Sequence, residues 1–169
     1  MFPWPPSPFL REDLHSSIGG LTLTNTDTKT IPVILTIRAI QNFDGTDGDH
    51  SELMTEGTMT VTEEGFLLSY EETALTGLDG TTTTFTVKDG QVVLTRTGKV
   101  NSQMVFQEGC RHTSLYETPF GALSVDIQTS RLRCSLTERG GLLDIRYSIA
   151  IQHTATGQNA FRIRVRTKN

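Results

Sequence analysis

The sequence predicts an all-β domain in which an antiparallel sheet of about eight to ten strands closes into a barrel. The first observation behind this prediction is composition, because the 169 residues include 27 threonines and only 6 alanines. Threonine favours half-buried pleated surfaces, whereas alanine is the best helix former. The second is the spacing of the glycines, which mostly lie about 8 to 12 residues apart, and the third is a regular alternation of apolar and polar residues. A two-sheet sandwich is the competing architecture.

Eleven segments have the character of strands, and one of them is expected to merge with a neighbour or to break. They cover residues 32–41, 51–63, 65–73, 81–88, 91–97, 103–108, 111–118, 121–129, 131–138, 142–153 and 158–167. Turn chemistry separates several of them, since Asp89-Gly90 is a hairpin signal and the runs 118–121 and 138–141 carry proline or paired glycines. Closing so many strands into one barrel removes the exposed edges that an open sheet would leave.

The alternation is clearest near the end of the chain. There the apolar residues share one face and three arginines share the other: Phe161, Ile163 and Val165 alternate with Arg162, Arg164 and Arg166. A period of two with one polar face is typical of antiparallel strands that turn a single face towards a core. The interior of a barrel of this size is either filled by side chains or holds one small ligand.

The chain divides into an N-terminal tail, residues 1–30, and a barrel domain, residues 31–169. Four prolines stand before residue 9, and residues 21–30 are low in complexity and rich in threonine, so the tail is predicted to be disordered. The prolines interrupt any apolar core of a signal peptide. No stretch approaches the roughly 18 apolar residues of a membrane span, which excludes a transmembrane helix and predicts a cytoplasmic protein. The alternative explanation of residues 1–30 is a start codon assigned too far upstream.

Charge and cysteine content narrow the range of partners. The formal net charge is −4, and this acidic balance makes nucleic acid an unlikely partner. Cys110 and Cys134 have no neighbour at metal-ligand spacing and are interpreted as reduced thiols, with a disulfide between them left open. The acidic loop 44–50 lacks the bidentate glutamate of a calcium-binding loop, and the four histidines are scattered. No metal or cofactor is therefore predicted.

One candidate ligand site follows from the faces of the predicted strands. Tyr70 and Glu72 extend the apolar face that begins at Phe66, and Arg96 extends the face of Leu94. Charges on a face that turns inward must be paired, so an ion pair between Glu72 and Arg96 is predicted. This pair either closes the barrel, which is the favoured interpretation, or orients the polar group of a ligand in an apolar cavity.

A fourth candidate, Tyr116, precedes the turn at residues 118–121 and is placed at the mouth of the same cavity, with stabilisation of a hairpin as the favoured interpretation. On the outer face of the last predicted strand, Arg162, Arg164 and Arg166 form an exterior basic stripe. The stripe fits a protein or RNA partner, but without interleaved aromatic residues the ordinary explanation is pairing with carboxylates on neighbouring strands.

The order of several short motifs resembles the YwiB-like family of bacterial proteins of unknown function. These motifs are Ser51–Gly57, Leu68–Thr73, Thr76–Thr83, Val93–Gly98, Met104–Phe106 and Tyr116–Gly121. The resemblance extends over residues 32–167 and implies a calycin-like, lipocalin-like β-barrel in a small cytoplasmic bacterial protein. It implies no activity, and the N-terminal tail departs from the family pattern.

Two hypotheses about function follow. The first is a non-enzymatic binding module whose barrel takes a small, partly apolar ligand at Tyr70, Glu72, Arg96 and Tyr116. The second is an interaction module that uses the exterior basic stripe and has a filled barrel. An enzyme has the least support, because no nucleophile, general base or metal constellation emerges.

Overall fold

A ten-stranded antiparallel sheet accounts for most of the described chain. The computed structural model describes residues 28–42, 48–118 and 120–168. The strands are β1 (Lys29–Asn42), β2 (Asp49–Val61), β3 (Gly65–Glu71), β4 (Thr81–Lys88), β5 (Gln91–Gly98), β6 (Ser102–Gln107), β7 (Arg111–Thr118), β8 (Gly121–Cys134), β9 (Gly140–Ile151) and β10 (Thr154–Thr167). A single 3-10 turn, Ala74–Thr76, lies between β3 and β4. The all-β prediction is confirmed.

The strands follow one another around a nearly closed barrel, in the order β6-β5-β4-β3-β2-β1-β10-β9-β8-β7. The first strand pairs with β2 on one side and with the last strand, β10, on the other. All the other neighbours are consecutive along the chain, as in a meander. The result is one continuous curved sheet, which confirms the barrel and not the sandwich.

The barrel has a seam where its two outermost strands, β6 and β7, meet. The turn between them docks on β8: the Gly109 N–H donates to the Thr129 carbonyl at 2.9 Å, and the Thr129 N–H donates to the Cys110 carbonyl at 3.2 Å. The Leu132 N–H also donates to the Glu108 carboxylate at 2.8 Å. These bonds all lie at the end of the barrel where β6 stops and β7 starts, so the seam is closed there.

The merged strand is β8, which combines the predicted segments 121–129 and 131–138. Its pairing with β9 shifts register between Thr129 and Arg131, so a bulge stands where two strands were predicted to meet. The hairpin predicted at Asp89-Gly90 is confirmed, because it joins β4 to β5 and both residues have left-handed φ angles, 49° and 71°.

Alternation fills the barrel with one hydrophobic cluster. In β10 the residues Phe161, Ile163 and Val165 are buried, as predicted. The arginines that alternate with them, Arg162, Arg164 and Arg166, are exposed. Four aromatic rings meet at the centre in edge or stacked contacts, with centroids 4.9 to 6.2 Å apart: Phe85, Phe106, Tyr147 and Phe161. The centre of the barrel is thus occupied by side chains.

Three expectations from alternation need correction. By alternation, Asp126 and Asp144 belong to the outer, polar face of their strands, where exposure is expected. Both are buried, because neighbouring side chains on the outer surface cover them. Cys134 shares the inner face of β8 with Leu132 and lies opposite Leu143, but it is exposed, and it is the last residue of the strand. Both cysteines are free in the structure, so no disulfide joins them.

The predicted tail lies almost wholly outside the described residues, and its disorder stays a prediction. β1 begins at Lys29, just before the predicted domain boundary at residue 31. Most of the acidic loop 44–50 also lies outside the described residues. Within the described part of the chain, no helix is long and apolar enough to cross a membrane. The cytoplasmic location stays a prediction.

Candidate functional site

A row of polar side chains crosses the inner face of β3 to β6 near one end of the barrel. Register places Tyr70 opposite Thr83, Thr83 opposite Arg96, and Arg96 opposite Ser102. Residues directly opposite each other in an antiparallel pair point to the same face. Tyr70, Thr83 and Ser102 are buried, and Arg96 is half-buried. The sequence-predicted residues Tyr70 and Arg96 therefore share one polar end of an otherwise apolar interior.

Glu72 lies beside this row, but it does not pair with Arg96. Its carboxylate accepts hydrogen bonds from the Thr83 hydroxyl at 2.6 Å and from the Thr76 hydroxyl at 2.7 Å. No ion pair joins Glu72 to Arg96, both of which are described residues, so the prediction of that pair was wrong. Two threonine hydroxyls stabilise the buried carboxylate instead. Glu72 thereby ties the 3-10 turn to β4, which is a structural role.

Arg96 is a charged group without a recorded counterion among the described residues. Its Nε atom is inaccessible to solvent and has no hydrogen-bond partner. Its positive charge acts on two phenols, Tyr70 on β3 and Tyr147 on β9. A guanidinium that reaches both sides of the interior with an unsatisfied N–H is available to an acceptor group that enters the barrel.

The two phenols are held neutral by their surroundings. Burial, and next to it the negative charge of Glu72, raise the pKa of the Tyr70 hydroxyl well above its ordinary value of 10.0. Burial also raises the pKa of Tyr147, although the positive charge of Arg96 acts in the opposite direction. Both groups are therefore hydrogen-bond donors, and neither is a base, at any pH below their ordinary range.

Alkaline pH is expected to destabilise the fold through these two tyrosines. Their pKa is higher in the folded than in the unfolded state, so their contribution is fully present below pH 10 and is lost as the pH rises above it. In a titration followed by tyrosinate absorbance, two of the three tyrosines should ionise only when circular dichroism reports unfolding. Tyr147→Phe should move the midpoint of this alkaline unfolding to higher pH. Ionisation of all three phenols near pH 10 with intact circular dichroism would contradict the expectation.

Four solvent-inaccessible polar atoms lack hydrogen-bond partners among the described residues, and they lie on four consecutive strands around the seam. They are Arg96 Nε on β5, Ser102 Oγ on β6, His112 Nε2 on β7 and Thr129 Oγ1 on β8. Most buried polar atoms in proteins are paired, so such a concentration requires an explanation. Thr129 lies opposite Tyr147, which connects this group to the phenols that face Arg96.

Sequence reasoning missed three of these four residues. Ser102 and Thr129 carry no signal in the sequence, because their placement depends on the strand register and on the bulge in β8. His112 lies opposite Ile127 and faces inward. The one sign of this in the sequence is that His112 shares a strand face with Ser114. The fourth predicted ligand residue, Tyr116, pairs with Leu123 along the backbone, and its side chain lies outside the described residues.

The exterior basic stripe is partly neutralised. Arg162 donates to the Asp144 carboxylate at 3.0 Å, so pairing with a neighbouring strand is confirmed for this arginine. Arg164 lies opposite Thr36 and Leu142, and Arg166 lies opposite Ile34 and Gly140. These two exposed arginines therefore have uncharged cross-strand neighbours.

In the part of the chain that the structure describes, no three histidine, cysteine, aspartate or glutamate side chains are grouped so that they could hold a metal ion. Asp126 interacts with the Thr113 hydroxyl at 2.6 Å and with His153 at 3.5 Å, which is a pair and not a metal cluster. The polar end of the barrel thus combines neutral hydrogen-bonding groups with Arg96 and, beside them, the Glu72 carboxylate, which is hydrogen-bonded to two threonines.

The chain resembles known β-barrel proteins in sequence and in structure. It is 27% identical over 120 residues to the uncharacterized beta-barrel protein YwiB of Bacillus subtilis strain 168, a match that covers 71% of this chain and 82% of that protein. The crystal structure of the ywiB protein from the same organism matches with a TM-score of 0.67 at 22% identity, over 84% of this chain and 96% of that one. The match confirms the barrel and the predicted resemblance, whereas the calycin-like classification stays a prediction.

The comparison with family models concerns the barrel itself. Residues 35–163 match the model described as "Domain of unknown function (DUF1934)". This range begins in β1 and ends in β10, so it includes every strand that contributes to the polar end and to the seam. Because the match extends over well more than half of the chain, the chain belongs to the DUF1934 family.

Proposed function

We propose that the protein is a non-enzymatic binding module that takes a small, partly apolar ligand at the polar end of its barrel. The observation that carries the proposal is Arg96, whose Nε is buried without a partner. An inaccessible N–H of a charged group that lacks a hydrogen-bond partner is costly even when the side chain is half-buried, and a ligand that brings an anionic acceptor removes that cost. The ligand class is therefore a small organic anion, with its charge at Arg96.

The neighbouring groups support the same ligand class. Tyr147 is a neutral donor because burial raises its pKa, and a donor suits a carboxylate or sulfonate better than a cation. The Tyr70 hydroxyl is already hydrogen-bonded to the Glu72 carboxylate. Ser102 and Thr129 add hydroxyls without partners. The aromatic cluster occupies the centre of the barrel, which limits the ligand to a size that fits between the polar end and these rings.

The first experiment uses benzoate as the probe and benzyl alcohol as its uncharged counterpart. Binding is measured by saturation-transfer NMR on the full chain. Benzoate is expected to bind at least about tenfold more tightly than benzyl alcohol, as charge-assisted hydrogen bonds to an arginine imply. Arg96→Met should abolish the preference, and Arg164→Met, the matched control on the exterior, should retain it. Equal affinities in the wild type, or a preference that survives Arg96→Met, would refute the proposal.

A stability measurement separates a binding role of Arg96 from a structural one. Arg96→Met removes a half-buried charge whose Nε has no partner, and it is expected to raise the free energy of unfolding by up to about 1 kcal/mol. Urea unfolding of the ligand-free protein checks this. A clear loss of stability would instead identify Arg96 as a structural residue, which is incompatible with a vacant counterion position.

The alternative function is an interaction module that binds a protein or RNA partner through Arg162, Arg164 and Arg166. It is favoured by the filled centre of the barrel and by the uncharged neighbours of Arg164 and Arg166. A pull-down with the triple charge-reversal variant tests it. Capture that is unchanged by the reversal would remove this alternative.

A further inference from the structure

A groove of about 750 Å³ runs across the outer surface of the sheet, away from the polar end of the interior. Its lining comes from β1, β2, β8, β9 and β10, and the side chains that point outward at these positions are mostly charged or polar. They include Arg38, His50, Glu52, Ser130, Asp144, Arg146, Gln158 and Arg162, with Ile40 and Ala160 among them. The volume falls within the usual range of small-molecule sites.

The groove brings arginines together at a cost. Arg38 lies directly opposite Arg162 on the neighbouring strand, and both line the groove. Arg146 lines it too and lies directly opposite Arg131, which does not. Like charges directly opposite each other destabilise an antiparallel pair. Two such pairs on adjoining strands are unexpected in a protein whose net charge is −4.

Two carboxylates, Glu52 and Asp144, line the groove together with the three arginines, which leaves one positive charge in excess. Glu52 pairs with Arg38. Asp144 is buried and lies 3.0 Å from Arg162 Nη2 and 3.9 Å from Arg146 Nε. A buried carboxylate shared between two guanidinium groups holds them in place and leaves other N–H donors of each for a ligand.

We propose that this groove binds a small phosphate-bearing anion. A phosphate group offers three oxygens and two negative charges, which match the guanidinium groups of Arg38, Arg146 and Arg162. The polar side chains His50, Ser130 and Gln158 line the remainder of the groove and suit the hydroxyl or ring groups of an organic phosphate. The side chains that carry this proposal, those of Arg38, Arg146 and Arg162, are not part of the ligand site at Arg96, and only Tyr147 lines both sites. Either proposal can therefore fail alone.

Isothermal titration calorimetry with inorganic pyrophosphate and with adenosine monophosphate tests the proposal on the full chain. Sodium chloride at matched ionic strength is the control for general screening. Both probes should bind the wild type more tightly than chloride can explain. Tighter binding of the nucleotide would assign an organic phosphate, and tighter binding of pyrophosphate an inorganic one.

The variants are Arg38→Gln and Arg146→Gln, each of which removes one member of an arginine pair. Both should weaken binding of the better probe by about tenfold or more. The control is Arg164→Gln on β10, which does not line the groove and should bind as the wild type does.

Two results would overturn the proposal. One is that the phosphate probes bind or stabilise the wild type no more than chloride does. The other is an equal loss of binding in Arg164→Gln, since that would describe a diffuse attraction to positive charge and not a site.

Discussion

Replacing Phe106 by alanine is expected to lower the free energy of unfolding by about 3–5 kcal/mol. Phe106 is fully buried on β6, which pairs with β5 alone among the described strands. The centroid of its ring lies 4.9 Å from that of Tyr147 on β9, across the seam. Truncation therefore removes both the apolar area of the ring and the contact that holds β6 against the rest of the core.

Urea unfolding monitored by circular dichroism measures this effect. Leu115→Ala is the control, because Leu115 is 73% exposed on the neighbouring edge strand β7 and its truncation should cost at most about 0.5 kcal/mol. A loss below about 1 kcal/mol in Phe106→Ala would mean that the ring is not part of a packed core.

Gly57→Ala is expected to destabilise the protein by about 2–3 kcal/mol, although it adds a single methyl group. A Cβ atom at this position would lie 2.4 Å from the Ser69 carbonyl oxygen and 3.2 Å from Tyr70 Cβ. Since one of these contacts is with backbone, β2 and β3 would have to move apart, and Tyr70 would shift with β3.

The control for Gly57→Ala is Gly90→Ala in the β4–β5 turn. A Cβ atom there meets nothing within 4 Å, and the only penalty is the left-handed φ of 71°, about 1 kcal/mol. Thermal unfolding of the two variants separates crowding from backbone preference. If Gly57→Ala were no less stable than Gly90→Ala, β2 and β3 would not be as closely packed as the structure has them.

The barrel was predictable because its signals are local. Alternation identifies the inner face of each strand, and turn residues such as Asp89-Gly90 locate the hairpins without reference to distant parts of the chain. The number of strands was not fully predictable, because the bulge after Thr129 in β8 depends on how the β6–β7 turn docks there. Pairing of β1 with β10 likewise follows from closure and not from any sequence motif.

The candidate site was predictable only in part. Parity along β3 and β5 was enough to place Tyr70, Glu72 and Arg96 towards the interior. It was not enough to choose their partners, because Thr76 reaches Glu72 through an irregular segment whose conformation alternation does not describe. The burial of Asp144 beneath arginines is also invisible in the sequence, since it depends on the lateral order of β8, β9 and β10.

The pairing of the first strand with the last has a consequence for how the chain folds. Every other strand pair is between sequence neighbours, so hairpins such as β4–β5 can form early with little loss of chain entropy. The β1–β10 ladder joins opposite ends of the chain, and this long loop raises the contact order. We expect barrel closure to be the slow, late event in folding, and the C-terminal strand to be released from the ribosome before the fold can be completed.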